Sequence, residues 1–300
     1  QEAVSANSGL EWIKYVGGVT EGTKNKSGKS TGGTREFCAE RMGRYYKKDD
    51  VEKWADRDWS GKRKGTTKST IFIYAGGYNC KHQIVYVDES AVPKANKDAK
   101  VLGKNSKEVG DELQDKAGKI ANKYGAKLTP INYKSYDSMV RKANDELAGN
   151  VGDIKDSVRN TIISDGKNIK NVSKEVGQLG VKGLKTQDFS SSSGYRGYIS
   201  NPKLSNGVIG EIQVNTPEMI FAKEQPSIAK SIIGESKWNE IKNKTGLDGG
   251  LGHKYYEEDR KIVIDPKNPD PKLLSMKEEI QQKSRDYYKN FYYSYPEPWP

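Results

Sequence analysis

The sequence is poor in cysteine and histidine. Its 300 residues include two Cys, Cys38 and Cys80, and two His, His82 and His253. Two thiols do not make a disulfide scaffold. No run approaches the roughly 18 consecutive apolar residues of a membrane span, and no hydrophobic signal-peptide core opens the chain. The first residue is Gln1 rather than Met, so the sequence reads as a fragment of something longer, which would hide any targeting segment. There are no internal repeats. Hydrophobic residues make up only 33% and charged ones 30%, with a mean hydropathy of −0.89. That leaves enough for two modest cores, and the length favours about two domains.

Cationic charge and tyrosine are abundant. The 51 Lys and Arg against 40 Asp and Glu give a net charge of +11, and 18 Tyr and 5 Trp are present. Such a surplus serves solubility or a polyanionic partner: nucleotide phosphates, RNA or DNA. The basic residues are spread along the chain, so charge alone does not choose.

Residues 17–34 are rich in Gly, Ser, Thr and Lys and read as a flexible loop. The "SGKSTGG" within them lacks P-loop spacing and has no strand before it. Residues 1–92 form a small module. It ends in "TIFIYAGGYNCKHQIVYV", two short strand-like runs around Gly76-Gly77. Residues 93–105 read as a linker. Val109, Leu113, Ala117, Ile120 and Tyr124 then make one apolar stripe of an amphipathic helix, with Gly125 as its C-cap. Alternating elements follow: helix over 136–148, strand over 157–164, helix over 168–179, strands near 181–187, 195–201 and 207–215, and helices over 217–260. Asn206-Gly207 is a turn, and Thr216-Pro217 reads as an N-cap followed by proline at the first helical position. Residues 266–300 read as a charged helix and a Tyr/Pro tail. The pattern predicts an α+β fold, an α/β-type mixed sheet flanked by helices, with the small N-terminal module beside it.

Four stretches carry chemistry. In "KSYDSMVRKA", Lys134, Ser135, Ser138 and Lys142 straddle a helix start, where ammonium and hydroxyl groups suit a triphosphate. A capped, solvated helix end gives the same pattern. Asp156 stands just before an apolar strand, where a carboxylate holds Mg²⁺ with bound phosphate or simply caps a turn. Tyr195, straight after Gly194, offers a ring for stacking a base, or is an ordinary strand tyrosine. Glu211, Gln213 and Asn215 alternate with Ile212 and Val214, so three polar groups share one strand face.

In this order and spacing, these stretches resemble the synthetase domain of the RelA/SpoT-homology family, over roughly residues 105–260. The resemblance implies a nucleotidyltransferase-like synthetase fold and a pyrophosphokinase that moves pyrophosphate from ATP to a ribose 3′-OH. Lys134, Ser135, Ser138 and Lys142 match the family's ATP-phosphate patch, with Arg159 nearby. Asp156 matches the Mg²⁺ ligand, Tyr195 the acceptor-stacking tyrosine, and Glu211 and Gln213 the E-x-Q strand whose glutamate serves near the metal or as base. Asn215 takes the place of that strand's arginine, beside the acceptor. Asn132, Thr161 and Ile199 are further departures, and looser positions of this kind resemble the toxin members. The implied cofactor is Mg²⁺. The implied partners are ATP, a purine nucleotide acceptor or the tRNA 3′ CCA end, and an immunity protein.

Neither histidine is followed by aspartate, so the hydrolase half of long family members, with its His-Asp metal site, is absent. A synthetase without its eraser fits a toxin acting in a bacterial cytoplasm, after delivery into a target cell. The N-terminal module resembles phage minor head (Mu F-like) proteins through its Gly-Gly-x-x-Cys-x-His element. That implies association with a phage capsid or portal, or a structural protein without activity. An ADP-ribosyltransferase wants Glu-x-Glu or Gln-x-Glu, and "EIQ" has the reverse order. Cys38, Cys80 and His82 leave only His253 to complete a tetrahedral zinc site, so two buried thiols are the expectation.

Overall fold

The structure, a computed structural model, describes residues 9–20, 33–181, 193–262, 264 and 268–295, together with the backbone of 23–24 and 30–31. The chain divides into two compact units, Gln1–Lys100 and Val101–Pro300.

In the first unit, β1 (Trp12–Val16) is the middle strand of an antiparallel sheet. A short pair, β2 (Thr23–Lys24) with β3 (Ser30–Thr31), follows within the stretch expected to be a loop. After the helical turn α1 (Glu36–Ala39), β4 (Tyr45–Lys47) pairs with one edge of β1. The turns α2 (Lys48–Glu52) and α3 (Ile71–Tyr74) come next, and β5 (Gln83–Val87) pairs with the other edge. Aromatic rings fill this small core. Trp54 meets Tyr46 edge-on at 4.8 Å, and Phe37 stacks on Trp59 at 4.1 Å. The first of the two runs expected as strands, "IFIY", is helical instead. A four-residue apolar run has too little periodicity to separate the two states.

The stretch expected to be a linker is helix α4 (Lys94–Glu108). Its buried residues are Ala95, Asn96, Ala99 and Ser106, small or polar side chains that leave no apolar stripe to read. In the second unit, α5 (Gly110–Lys123) buries Leu113, Ala117 and Ile120, and Gly125 beyond it takes a positive φ of 61°. The strands β6 (Lys127–Leu128) and β7 (Asn132–Tyr133) both run antiparallel to one edge of β8 (Val158–Ile163). Between them and β8 lies α6 (Tyr136–Glu146), and after β8 comes α7 (Ile169–Gln178). The strand expected near 181–187 falls outside the described residues beyond 181. The strand β9 (Tyr198–Ser200) runs antiparallel to β10 (Glu211–Asn215), which itself lies parallel to β8. This mixed sheet, ordered β6-β8-β10-β9, matches the α+β expectation.

One face of the sheet carries Val158, Ile162, Ile212 and Val214 against α5 and α7. The turn at Asn206-Gly207 forms, with Gly207 at φ 88°. Thr216 caps α8 (Pro217–Lys223) by accepting from the Met219 amide at 3.2 Å, a bond that contributes about 1 kcal/mol. Then come α9 (Pro226–Ile233), α10 (Glu235–Thr245), α11 (Leu251–Asp259) and α12 (Pro271–Lys289). The expected Tyr/Pro tail is instead core as far as it is described. Tyr287, Tyr288, Phe291 and Tyr295 are buried, with Phe291 5.7 Å from Phe221. Rings spaced at 287, 288, 291 and 295 continue the apolar face of α12 past its last turn.

Candidate active site

The strand register places the polar row. Glu211 lies beside Arg159, Gln213 beside Thr161 and Asn215 beside Ile163. Neighbours in a parallel pair share a face, so this face is opposite the one covered by α5 and α7. Asn132 pairs with Arg159, and alternation puts Lys134 on the same side as Asn132.

At one end of this face, Lys134 and Lys142 converge on Asp156, which precedes β8. Lys134 Nζ donates to Asp156 Oδ2 at 2.7 Å and Lys142 Nζ to Oδ1 at 3.0 Å. Burial pushes the Asp156 carboxyl up, but the two ammonium groups outweigh it and hold the carboxyl below its usual range. Lys142 reaches Asp156 from the second turn of α6. Ser135 caps that helix, accepting from the Ser138 amide at 3.3 Å while its hydroxyl donates to Ser138 Oγ at 2.9 Å. Arg159 makes no side-chain hydrogen bond or ion pair among the described residues.

Along β10 the polar side chains bond to one another. Gln213 Nε2 donates to Glu211 Oε1 at 2.7 Å, and Lys223 Nζ donates to Gln213 Oε1 at 3.0 Å. Tyr195 donates its hydroxyl to Asn215 Oδ1 at 2.6 Å. Lys223 Nζ also sits over the Tyr195 ring, 5.3 Å from its centroid. Asn215 was expected beside the acceptor; it is fully buried and reaches the surface only through Tyr195. Gln213 is buried as well, with both ends of its amide in use. The sequence reading missed Lys223, although its place two turns into α8, behind a clear N-cap, was a usable signal.

The loop carrying Tyr195 is held from the C-terminal segment. Ser284 Oγ donates to the Ser193 carbonyl at 2.8 Å, Tyr292 to that of Gly194 at 2.5 Å, and Tyr295 to that of Arg196 at 2.9 Å. The Tyr288 ring meets Tyr195 edge-on at 5.9 Å, and the Arg196 guanidinium lies 3.5 Å from the centroid of Tyr292. The loop's glycines are required by this packing. Gly194 has φ 76°, and a Cβ there would lie 2.7 Å from Arg285 Cα. A Cβ on Gly197 would lie 2.6 Å from both Asn215 Oδ1 and the Tyr195 hydroxyl.

No family model matches the chain. The (p)ppApp synthetase toxin Tas1 of Pseudomonas aeruginosa (strain UCBPP-PA14) is 36% identical over 177 residues, 59% of this chain. The chain spans only 38% of that relative's length. A chain in the crystal structure of the complex between the Type VI effector Tas1 and its immunity protein is 33% identical, with a TM-score of 0.55. The match covers 67% of this chain and 97% of that one. This chain belongs to the Tas1 family. The small alarmone synthetase 1 from Bacillus subtilis matches at 17% identity over 61% of this chain and 88% of its own, with a TM-score of 0.32, too distant to decide anything here. Nothing in these comparisons supports the resemblance to phage minor head proteins.

Proposed function

We propose that this member of the Tas1 family is a pyrophosphokinase toxin that transfers pyrophosphate from ATP to the 3′-hydroxyl of an adenosine nucleotide. The observation carrying this reading is that one sheet face holds a lysine–carboxylate cluster fit for phosphates, a glutamate fixed by Gln213, and, further along the same strand, a tyrosine anchored on Asn215. Tas1, the homologue, is a (p)ppApp synthetase, which favours adenine over the other acceptors the residues allow.

In this reading Lys134, Lys142 and Arg159 bind the ATP phosphates, and Ser135 and Ser138 add hydroxyl donors. Glu211 accepts the proton of the 3′-hydroxyl. The 3′-oxygen bonds to the β-phosphorus, the bond from that phosphorus to the α,β-bridging oxygen breaks, and AMP leaves with the electron pair. Gln213 holds Glu211 in place through its amide. Tyr195, anchored by Asn215 at its hydroxyl and covered by Lys223 on one side, presents the rest of its ring to the base. The donor set also fits Mg²⁺. Asp156 and Glu211 are hard carboxylates, each with lone pairs left after its present hydrogen bonds, and Mg²⁺ takes one or two carboxylates together with substrate phosphates. When bound it supplies neutralisation of phosphate charge.

The remaining parts of the reading follow from the same relative. Tas1 was crystallised with its immunity protein, so a protein antidote is proposed here too, with delivery into a target cell. Among the described residues no helix is long and apolar enough to cross a membrane.

The test is purified protein with Mg²⁺ and labelled ATP, offered AMP, ADP, ATP, GDP, GTP or tRNA. Labelled 3′-pyrophosphorylated adenine nucleotide with equimolar AMP is the expected result. Transfer only to guanine nucleotides or tRNA would move the acceptor assignment, and no transfer to any of them would overturn the enzyme.

A further inference from the structure

Three side chains of the first unit converge without a role in the chemistry above. Cys38 Sγ, Cys80 Sγ and His82 Nδ1 all lie within 4.8 Å of one another, and among the described residues they are the only such group of three metal-ligating side chains. The two sulfurs are 3.8 Å apart, and Cys80 Sγ is 3.3 Å from His82 Nδ1. Two thiolates at about 2.3 Å from a tetrahedral zinc stand about 3.8 Å from each other, and a thiolate and an imidazole nitrogen about 3.5 Å. We propose that Cys38, Cys80 and His82 form a zinc site in the N-terminal unit.

The surroundings agree with that assignment. His82 Nε2 lies 3.0 Å from the Gly18 carbonyl, which only accepts, so Nε2 carries the proton and Nδ1 is bare toward the sulfurs. A ligating histidine is oriented in this way by an outer carbonyl. Tyr15 is fully buried, donates its hydroxyl to Cys38 Sγ at 3.3 Å and stacks on the His82 ring at 5.7 Å. Gly76 passes so close that a Cβ there would fall inside contact distance of both sulfurs, so the backbone leaves them room only because this residue has no side chain. Two thiolates and one imidazole suit zinc rather than a hard cation, and water completes the tetrahedron. The elimination made from the sequence, that too few Cys and His remain for four protein ligands, holds for a four-ligand structural site and not for three ligands plus water. The ion would tie α1 to the entry of β5, in a unit whose sheet has three short strands.

Metal content of the purified full chain, reduced, reconstituted with Zn²⁺ and desalted, tests this. About one zinc per chain is expected. Cys80→Ser and His82→Ala should each lower retention at least about fivefold, and His82→Cys should keep it. Should the variants misfold, the wild type decides alone. Cobalt replacing zinc shows a thiolate-to-metal charge-transfer band only if sulfur is bound, and Cys38 and Cys80 are the only cysteines in the chain. A reconstituted protein that retains no zinc and shows no such band overturns the site, whether its thiols are then free or joined in a disulfide. Zinc retained equally by wild type and Cys80→Ser also overturns it.

Discussion

Asp156→Asn separates the structural from the chemical work of the lysine cluster. The Asp156 side chain is only 11% exposed, and those of Lys134 and Lys142 are 16% and 25% exposed. Removing one partner of a buried ion pair costs about 3–5 kcal/mol. Asparagine keeps one acceptor oxygen and the lysines keep some water, so about 2–3 kcal/mol is expected. For a unit of this size that lowers Tm by about 5–10 °C. The effect depends on pH with a definite sign. The folded carboxyl lies below the ordinary 3.8, so its stabilisation is complete above that pH and is lost as pH falls through the folded value. Melting wild type and variant between pH 7 and 3 should therefore show a constant gap that closes below 3.8. Pyrophosphate transfer at pH 7 should fall about 100-fold or more. A Tm change under about 1 °C, or a gap undiminished at the acid end, would refute a stabilising role for Asp156 between Lys134 and Lys142.

Three further outcomes follow from the same face. Glu211→Gln, which breaks no ion pair, should lower turnover about 100-fold while Tm stays within about 2 °C, read by product formation and thermal melts. Tyr295→Phe deletes the bond to the Arg196 carbonyl; about 1 kcal/mol of stability should go, and KM for the acceptor should rise more than kcat falls. Gly197→Ala drives a methyl between Asn215 and Tyr195 and should cost about 1–3 kcal/mol, with a similar KM effect; unchanged steady-state kinetics would show that the Tyr195 loop does not position the acceptor.

The legibility of this chain followed the periodicity of its large side chains. The α5 stripe, the Thr216-Pro217 cap and the alternation of β10 are local patterns, and each forms as read. Helix α4 was missed because Ala95, Ala99 and Ser106 pack closely without being hydrophobic enough to mark a face. The C-terminal tyrosines were misread because their partners, the carbonyls of Gly194 and Arg196, lie nearly a hundred residues earlier. Lys142 with Asp156 was legible as residue types and order, while the bond between them was not. No spacing rule joins a helix to a residue just ahead of a strand across fourteen positions.

The polar row on β10 also divides the site into parts that are fixed and parts that remain available. Gln213 and Asn215 are buried, and a buried amide left unbonded would cost about 1–3 kcal/mol. Gln213 avoids that by bonding to Glu211 and Lys223 at its two ends, while Asn215 bonds Tyr195 through its oxygen and keeps an amide nitrogen without a partner among the described residues. Glu211 and Arg159, paired in register at the other end of the strand, are only half-buried, and Arg159 has no partner among the described residues. Charge that can still be neutralised by a ligand lies there, beside the Asp156 cluster, while the Tyr195–Asn215 end offers only an uncharged hydroxyl–amide pair. At about 3.3 Å per residue, four residues separate the two ends by about 13 Å. A nucleotide lying along that face with its base at Tyr195 would point its ribose toward Glu211. The neutral amides of Gln213 and Asn215, between Glu211 and Tyr195, hold that spacing without contributing a charge of their own to the reaction.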